Sequence, residues 1–464
     1  MTRLIAKYLP ESIRQTLAHR GLRLIITNTF WLFVDRLLNL VFSFIIGSWV
    51  ANYLGPDAWG LLGYAMSFVA AFITFAALGL DNIVVRALVR ANTSAETILG
   101  TVFLLRLLAA VLTFLIVVMI IWQLESDESI RLLVLIAAGN LITVPFSTID
   151  LWFQAQVRSK HIVWVRNIAL LASNAAKIIL IFGQASVLAF AVANLLFQLM
   201  ITVGFLLVLI YHRQSMMRWR VSWRVAQDLL RDAWPLIIAG IATTLYLRID
   251  QVILGDLIDA GAVGTYAAAV RLTELWYFVP VAVATSLYPA IVRSREYLED
   301  SAYRQRIQAF YDLIAGLGIL ATLLTLLFGP ALIRMLFGTA FVDAIPILQV
   351  HTWSLVFTHL NVARSRWLFA ENLTGVLMVS NVLGASINVA LNLWLIPQLG
   401  GLGAAWATVI SYAFAGYFST LLYRRLWPIF WQLTLALFIP LRLTRAVSAI
   451  YDILRSQAER SNGE

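Results

Sequence analysis

Long apolar runs recur along the whole chain, and this feature restricts the possible folds more than any other. Each run has about 18 or more residues, which is long enough to cross a bilayer as a helix. Of the 464 residues, 61% are hydrophobic and 12% are charged, whereas a soluble domain has about 25% charged residues. Alternation with a period of two residues is absent, which argues against a transmembrane barrel. The sequence therefore predicts an all-α polytopic membrane protein.

The apolar runs predict about twelve transmembrane helices in two lobes of six. The predicted spans are 27–50, 59–80, 98–123, 132–153, 163–183, 186–210, 234–256, 263–290, 308–328, 342–363, 373–396 and 402–423. The first six form an N-terminal lobe (27–210), and the last six form a C-terminal lobe (234–423). Halves with an even number of spans are parallel repeats, and many transporters built in this way carry the substrate site between the halves. We expect a central cavity there.

Three further segments flank the predicted lobes. Residues 1–26 predict a cytoplasmic amphipathic arm, since they lack the apolar core and cleavage site of a signal peptide. Residues 211–233 predict a basic cytoplasmic loop, and residues 424–464 predict a basic tail in the cytoplasm or at the membrane interface. The apolar stretch 427–440 in this tail is short, which favours an interfacial helix over another span.

The loop charges predict the orientation of the chain. It has 31 Arg and 3 Lys residues, of which 26 lie on one side of the predicted membrane, 2 on the other and 6 inside spans. The positive-inside rule then places both termini in the cytoplasm. No motif interleaves basic and aromatic residues, so the net charge of +10 indicates membrane orientation rather than nucleic-acid binding.

Two similar turns support the division into repeats. The turn after the first span reads AWGLLGYA from Ala58, and the turn after the seventh reads AVGTYAAA from Ala262, at an offset of 204 residues. A pair of opposite charges also lies in each of these spans, namely Asp35 with Arg36 and Arg248 with Asp250.

The predicted spans contain more positive than negative side chains. The basic residues are Arg36, Arg106, Arg166, Lys177, Arg248 and Arg271, and the acidic residues are Asp35, Asp150, Asp250 and Glu274. Charges in a bilayer usually face a cavity or one another, and arginine can hold phosphate oxygens with two parallel hydrogen bonds. The surplus therefore predicts a cationic site for a phosphate or pyrophosphate group. The predicted substrate-binding residues are Arg36, Arg106, Lys177, Arg248 and Arg271.

The acidic residues allow two interpretations. Glu274 is three positions after Arg271 on one helix face, so these two side chains are placed to form an ion pair. Asp35 and Asp250 are poorly placed to pair within their own helices and instead predict partners on other helices. Alternatively, Asp35, Asp250 and Glu274 bind a coupling proton or sodium ion. His351 and His359 likewise allow either a proton relay or a hydrogen-bonded packing role.

No pattern in the sequence indicates a catalytic centre. There is no phosphate-cradling glycine-rich motif and no cluster of His, Cys and carboxylate residues with metal-ligand spacing. We therefore expect no enzymatic activity, no metal site and no cofactor. Energy for transport would come from a gradient, the membrane potential, a partner or the flux of substrate.

Five stretches resemble a known transporter family. They are ANYLGPDAWGLLGYAMSF from Ala51, ALGLDNIVVRALVR from Ala77, LWFQAQVRSK from Leu151, LRIDQVILG from Leu247 and VGTYAAAVRLTELWYFVP from Val263. In their order and spacing the chain resembles the Wzx-type polysaccharide-biosynthesis flippases, in the superfamily of multidrug, oligosaccharidyl-lipid and polysaccharide exporters. The similarity covers about residues 25–425.

The resemblance implies twelve to fourteen helices in two six-helix lobes that face each other in a V. It implies movement of an undecaprenyl-pyrophosphate-linked oligosaccharide from the cytoplasmic to the periplasmic leaflet of a bacterial inner membrane. The implied partners are this lipid-linked oligosaccharide, membrane lipids, a polysaccharide polymerase and a chain-length regulator. Basic residues facing the cavity matter in relatives, which agrees with Arg36, Arg248 and Arg271 here. Relatives with fourteen spans have two more helices than this chain predicts.

Three other functions remain open from the sequence. A multidrug or small-solute exporter of the same fold would have a cavity dominated by carboxylates. A membrane enzyme of polysaccharide synthesis would need a large extracytoplasmic loop, and the longest predicted loop on that side has only about a dozen residues. An assembly factor for glycan synthesis would tolerate the loss of every buried charge.

Overall fold

The computed structural model describes residues 20–90, 93–297, 299–371, 373–439 and 442, and within the first helix it describes side chains from Leu38 onward. Residues 1–19 of the predicted arm and 443–464 of the predicted tail lie outside these ranges. All regular secondary structure in the described residues is helical.

The α-helices in the described ranges are numbered α1 to α16 in chain order. They are Arg20–Ala77 (α1), Asp81–Arg90 (α2), Ala95–Leu124 (α3), Glu128–Ala138 (α4), Ser147–Ala155 (α5), Lys160–Phe182 (α6), Val187–Tyr211 (α7), Trp223–Leu257 (α8), Ala260–Glu274 (α9), Phe278–Tyr297 (α10), Asp300–Leu332 (α11), Ala344–His351 (α12), Ser354–Ala370 (α13), Thr374–Leu399 (α14), Gly401–Gly416 (α15) and Trp427–Leu437 (α16). Short 3₁₀ turns link α4 to α5 (Gly139–Phe146) and precede α16 (Arg424–Leu426).

The helices confirm the predicted all-α membrane fold. Nine helical stretches in the described residues are long and apolar enough to cross a membrane. The first, Leu38–Arg90, contains two predicted spans. Its helix α1 bends at Gly55, which adopts a φ of 75° just before Pro56. This backbone conformation suits glycine, and proline removes one helical hydrogen bond, so the chain turns there. The shorter helices α13 and α15 lie at the predicted tenth and twelfth spans.

The chain divides into two compact units, which we call unit 1 (1–50 and 68–241) and unit 2 (51–67 and 242–464). In unit 1, helices α2, α3 and α5 pack with the start of α8, and buried Val84, Val102 and Leu229 are part of this core. Helices α5, α6 and α7 form an adjoining core around Phe153 and Phe205.

Helix α8 begins at Trp223, within the predicted inter-lobe loop and before the predicted span at 234. Its first three turns are amphipathic: Ala226, Leu229 and Ala233 are buried on one face. The opposite face carries charge, which lowers the average hydropathy and hides the helix from a search for apolar runs. The boundaries of the predicted lobes stay a prediction.

The core of unit 2 lies between α11, α13 and α16. Tyr311, Leu360, Leu368 and Leu433 are fully buried in it. Helix α16 occupies the apolar stretch 427–440 of the predicted tail and has 11 residues. At about 1.5 Å per residue it is far shorter than the roughly 30 Å hydrocarbon core, as the sequence predicted.

Candidate functional site

Two glycines bring the two similar turns into contact within unit 2. A Cβ atom on Gly60 would lie 1.7 Å from the carbonyl oxygen of Ala260, and one on Gly264 would lie 2.0 Å from that of Pro56. Neither position accepts a side chain without a backbone shift. Gly60 and Gly264 are 204 residues apart, which is the offset of the two turns. The sequence indicated the repeat but gave no sign that its two copies touch.

Hydrogen bonds fix the segment 51–67 against the end of α8. The Tyr64 hydroxyl donates to Asp256 Oδ1 at 2.7 Å, and the Ser67 hydroxyl donates to Gln251 Oε1 at 2.6 Å. The Tyr64 ring also lies where a Cβ on Gly255 would be, at 2.3 Å. These contacts hold the segment 51–67 beside the charged residues of α8.

Arg248 on α8 and Glu274 at the end of α9 form an ion pair between helices. Arg248 Nη2 lies 3.6 Å from Glu274 Oε1, and the two side chains are 38% and 35% exposed. The distance is long for a direct charge-assisted hydrogen bond, for which about 2.7–2.9 Å is usual. Glu274 thus offsets the charge of Arg248 while leaving the guanidinium accessible.

Arg271 on α9 packs against an aromatic ring that was not among the predicted site residues. Its guanidinium carbon lies 5.5 Å from the centroid of the Trp59 ring. An indole face attracts a cation and orients its plane without neutralising the charge. Trp59 belongs to the repeated stretch that begins at Ala58. The sequence predicted a turn there, but the stretch is helical and forms part of α1 after the bend at Gly55.

Asp250 is buried and engaged in hydrogen bonds. It accepts one from the Tyr266 hydroxyl and one from the backbone N–H of Gln251 at 2.8 Å. The Tyr266 hydroxyl also lies 3.4 Å from Thr408 Oγ1. These contacts favour a structural role for Asp250, and its role in ion coupling stays a prediction.

Arg106, in unit 1, is 0% exposed, and each of its three side-chain nitrogens donates a hydrogen bond. Its Nη2 pairs with Asp81 Oδ1 at 2.6 Å, its Nη1 donates to Ser147 Oγ at 2.9 Å, and its Nε donates to the Ala77 carbonyl at 3.3 Å. Ala77 ends α1, where carbonyl groups lack partners within the helix. The substrate contact of Arg106 stays a prediction. Its hydrogen bonds favour a structural role, in which it holds α1, α2 and α5 together.

The remaining predicted residues lie apart from α8 and α9 in the sequence. Lys177 is half-buried on α6 in unit 1. Arg166 pairs with Asp150 at 2.6 Å across α5 and α6. The side chains of Asp35 and Arg36 lie outside the described residues, although the backbone there is helical.

The two histidines make local contacts in unit 2. His351 Nδ1 lies 3.0 Å from Thr273 Oγ1, and His359 Nδ1 donates to the Leu355 carbonyl at 2.7 Å. These contacts favour the packing role over the proton relay.

Arg364 directly follows the predicted tenth span (342–363), which places it in a predicted loop. It is fully buried on α13, where Nη1 donates to Ser419 Oγ at 2.5 Å and Nη2 to Asn361 Oδ1 at 3.4 Å. The hydropathy pattern carried no signal of this burial, because the apolar run ends just before Arg364.

Arg248, Arg271 and Glu274 are therefore the sequence-predicted residues that the structure brings together on α8 and α9. Two arginines and two carboxylates, Glu274 and the buried Asp250, lie in this part of α8 and α9, and the Arg248 guanidinium stays accessible. A guanidinium binds phosphate oxygens and repels an organic cation.

Two family models match the chain. The model described as "Polysaccharide biosynthesis protein" matches residues 25–295, and the model described as "MatE" matches residues 235–394. One curated relative is the "Probable low-salt glycan biosynthesis flippase Agl15" of Haloferax volcanii, with 26% identity over 192 residues. This match spans 41% of this chain and 41% of the relative.

Several solved structures share the fold. The lipid II flippase MurJ, in an inward closed conformation, has a TM-score of 0.66 with 14% identity, covering 94% of this chain and 99% of that one. A multidrug resistance MATE family transporter of the MOP superfamily, in an inward-facing conformation, has a TM-score of 0.62 with 13% identity, covering 84% and 95%. At these identities the likeness establishes the fold alone.

Proposed function

Because this chain belongs to the polysaccharide biosynthesis protein family, whose model matches more than half of it, we propose that it is a flippase for a lipid-linked oligosaccharide. The proposed substrate is an oligosaccharide linked to undecaprenyl through pyrophosphate. It would move from the cytoplasmic to the outer leaflet of a bacterial inner membrane, with both termini of the protein in the cytoplasm.

The observation that carries this proposal is the pair Arg248 and Arg271. Both arginines lie in a region apolar enough to cross a membrane. A charge there is costly unless it has a function or a partner, and the accessible Arg248 guanidinium is paired with Glu274 only loosely, at 3.6 Å. The pyrophosphate group is the part of the substrate that most needs such cations, because it cannot enter hydrocarbon unpaired.

The proposed mechanism is alternating access. The two halves would expose the substrate site first to the cytoplasmic side and then to the opposite side. Arg248 and Arg271 would hold the pyrophosphate, Trp59 would keep Arg271 oriented, and the isoprenoid tail would stay in the lipid. We expect Arg36 to contribute from the first span.

The test is replacement of single arginines in cells that need the glycan. Arg248→Ala and Arg271→Ala should each reduce translocation at least tenfold, so that lipid-linked glycan accumulates in the cytoplasmic leaflet. Protein abundance in the membrane should match wild type. The control is Arg224→Ala, which removes an exposed arginine at the start of α8. Normal translocation by both site variants, at normal abundance, would remove the site from the proposal.

A multidrug or small-solute exporter is the second candidate, and the MatE match over residues 235–394 favours it. The charges argue against it, because organic cations need accessible carboxylates. Asp250 is buried and hydrogen-bonded, and Glu274 pairs with Arg248. Drug susceptibility of a deletion strain distinguishes the two functions. A polysaccharide polymerase and a chain-length regulator stay predicted partners.

A further inference from the structure

Unit 2 also contains a cavity of about 280 Å³ where α10, α11 and α13 meet the turn before α16. Its charged lining residues are Arg295, Asp300, Arg304, Glu371 and Arg425. None of the residues that line it belongs to the site around Arg248 and Arg271. The function proposed above therefore leaves this cavity unexplained.

The cavity carries surplus positive charge. Both of its carboxylates pair with Arg295, at 3.1 Å for Glu371 and 3.2 Å for Asp300. Glu371 also accepts a hydrogen bond from the Tyr303 hydroxyl at 3.1 Å. The side chains of Arg304 and Arg425 are exposed, and neither forms an ion pair within the described ranges. Three arginines against two carboxylates thus leave one surplus positive charge at this small cavity, and in the described part of the chain the exposed Arg304 and Arg425 guanidinium groups are the ones without a carboxylate in ion-pair contact.

The cavity has a rigid frame. Gln432 Nε2 donates to the Arg304 carbonyl at 2.9 Å, and Gln308 Nε2 donates to the Gln432 carbonyl at 3.0 Å. These reciprocal bonds fix α16 to α11. Beneath them, Ile429 and Ile307 are buried in the core of unit 2. Arg304 and Arg425 are therefore held near each other by the backbone.

The cavity borders α16, for which the sequence predicts a position at the membrane interface. Four large side chains of α16 and the residue after it are exposed, namely Trp427, Trp431, Leu435 and Phe438. Exposed tryptophans are typical of the level of the lipid headgroups. The loop charges assign this end of the molecule to the cytoplasmic side, where anionic phospholipids attract arginine clusters.

We propose that this cavity binds the phosphate headgroup of an anionic phospholipid from the cytoplasmic leaflet. Arg304 and Arg425 hold the phosphate, and the acyl chains lie along the exposed apolar side of α16. The volume supports a headgroup, because pockets for larger ligands measure about 300–1,000 Å³ and an oligosaccharide would exceed this cavity. The proposal does not rest on the flippase function.

The test uses the purified full-length protein in neutral detergent. Phosphatidylglycerol and phosphatidylcholine are titrated separately, and bound lipid is counted by native mass spectrometry. Wild type should prefer phosphatidylglycerol. The double variant Arg304→Ala/Arg425→Ala should bind it about thirtyfold more weakly, since each arginine near an anionic lipid surface raises the affinity roughly fivefold. Binding of phosphatidylcholine should not change.

A matched control removes the same charge elsewhere. Arg218→Ala/Arg224→Ala deletes one exposed arginine before α8 and one in its first turn, and it should keep wild-type binding. If the alanine pair does not fold, Arg304→Gln/Arg425→Gln replaces it. Equal phosphatidylglycerol binding by a folded double variant overturns the proposal. Polyprenyl pyrophosphate and inorganic phosphate are titrated in the same way. The proposal is overturned if the double variant loses only the binding of polyprenyl pyrophosphate, because the cavity would then belong to the substrate. It is also overturned if inorganic phosphate alone saturates the cavity.

Discussion

Two arginine environments in this protein look alike in the sequence and differ in the structure. Arg106 in unit 1 is 0% exposed and makes three hydrogen bonds, one of them to Asp81. Arg248 in unit 2 is 38% exposed and meets Glu274 only at 3.6 Å. Arg271 is oriented by the face of Trp59.

The difference shows that a charged residue within an apolar span is not by itself a binding residue. A guanidinium that is fully buried and hydrogen-bonded through each of its three nitrogens stabilises the fold, and it is not accessible to a ligand. A guanidinium that is oriented but accessible can exchange its contacts for a phosphate.

The largest effect is expected for Arg106→Ala. Arg106 is fully buried, so its removal leaves a cavity and takes a hydrogen-bond partner from the Ala77 carbonyl and the Ser147 hydroxyl, which should lower the free energy of unfolding by about 2–5 kcal/mol. The measurement is the thermal midpoint of the purified protein in detergent. Asp81→Asn should also lower the midpoint, because it leaves the buried Arg106 guanidinium without its carboxylate. An Arg106→Ala protein with a wild-type midpoint and defective transport would move Arg106 into the substrate site.

The next largest effect is expected for Gly60→Ala. The new methyl group would lie 1.7 Å from a backbone oxygen of α9, so the segment 51–67 must shift away. Overpacking of this kind costs about 1–3 kcal/mol. Hydrogen exchange should show faster exchange around Tyr64 and Gln251. Gly375→Ala is the control, because nothing lies within 4 Å of a Cβ there. Hydrogen exchange equal to that of wild type would mean that the contact between the two repeated stretches does not fix the segment 51–67.

A charge exchange separates pairing from substrate binding. The double variant Arg248→Glu/Glu274→Arg keeps the ion pair and the net charge but moves the cation to α9. If Arg248 binds pyrophosphate, the double variant should fold normally and remain about tenfold slower in translocation, a difference of about 1.4 kcal/mol. Full recovery of translocation would show that the pair has only a structural role.

The smallest effect is expected for Trp59. Replacing it with leucine removes the aromatic face beneath Arg271, and a cation–π contact contributes about 0.5–2 kcal/mol. Translocation should fall several-fold and the thermal midpoint only slightly. Trp59→Phe should retain part of the activity. An equal loss in the leucine and phenylalanine variants would indicate that indole packing, not the π face, matters.

Much of the fold followed from the sequence because hydropathy and loop charge act locally. The positions of the helices and the short α16 agree with the apolar runs. The early start of α8 was missed, because an amphipathic helix has a low mean hydropathy. For the candidate site, the sequence selected Arg248, Arg271 and Glu274, and it missed Trp59 because a tryptophan near a span end is usually interfacial.

The sequence by itself determined the membrane class, the spans and a surplus of positive charge inside them, since these depend on neighbouring residues. Only the tertiary structure decided which charges are neutralised. Asp81 lies 25 positions from Arg106, and Arg364 is buried through Ser419, 55 positions away. The contact between Gly60 and Ala260 joins residues still farther apart. Whether an arginine binds a ligand or stabilises a fold depends on such distant partners, and no local pattern records them.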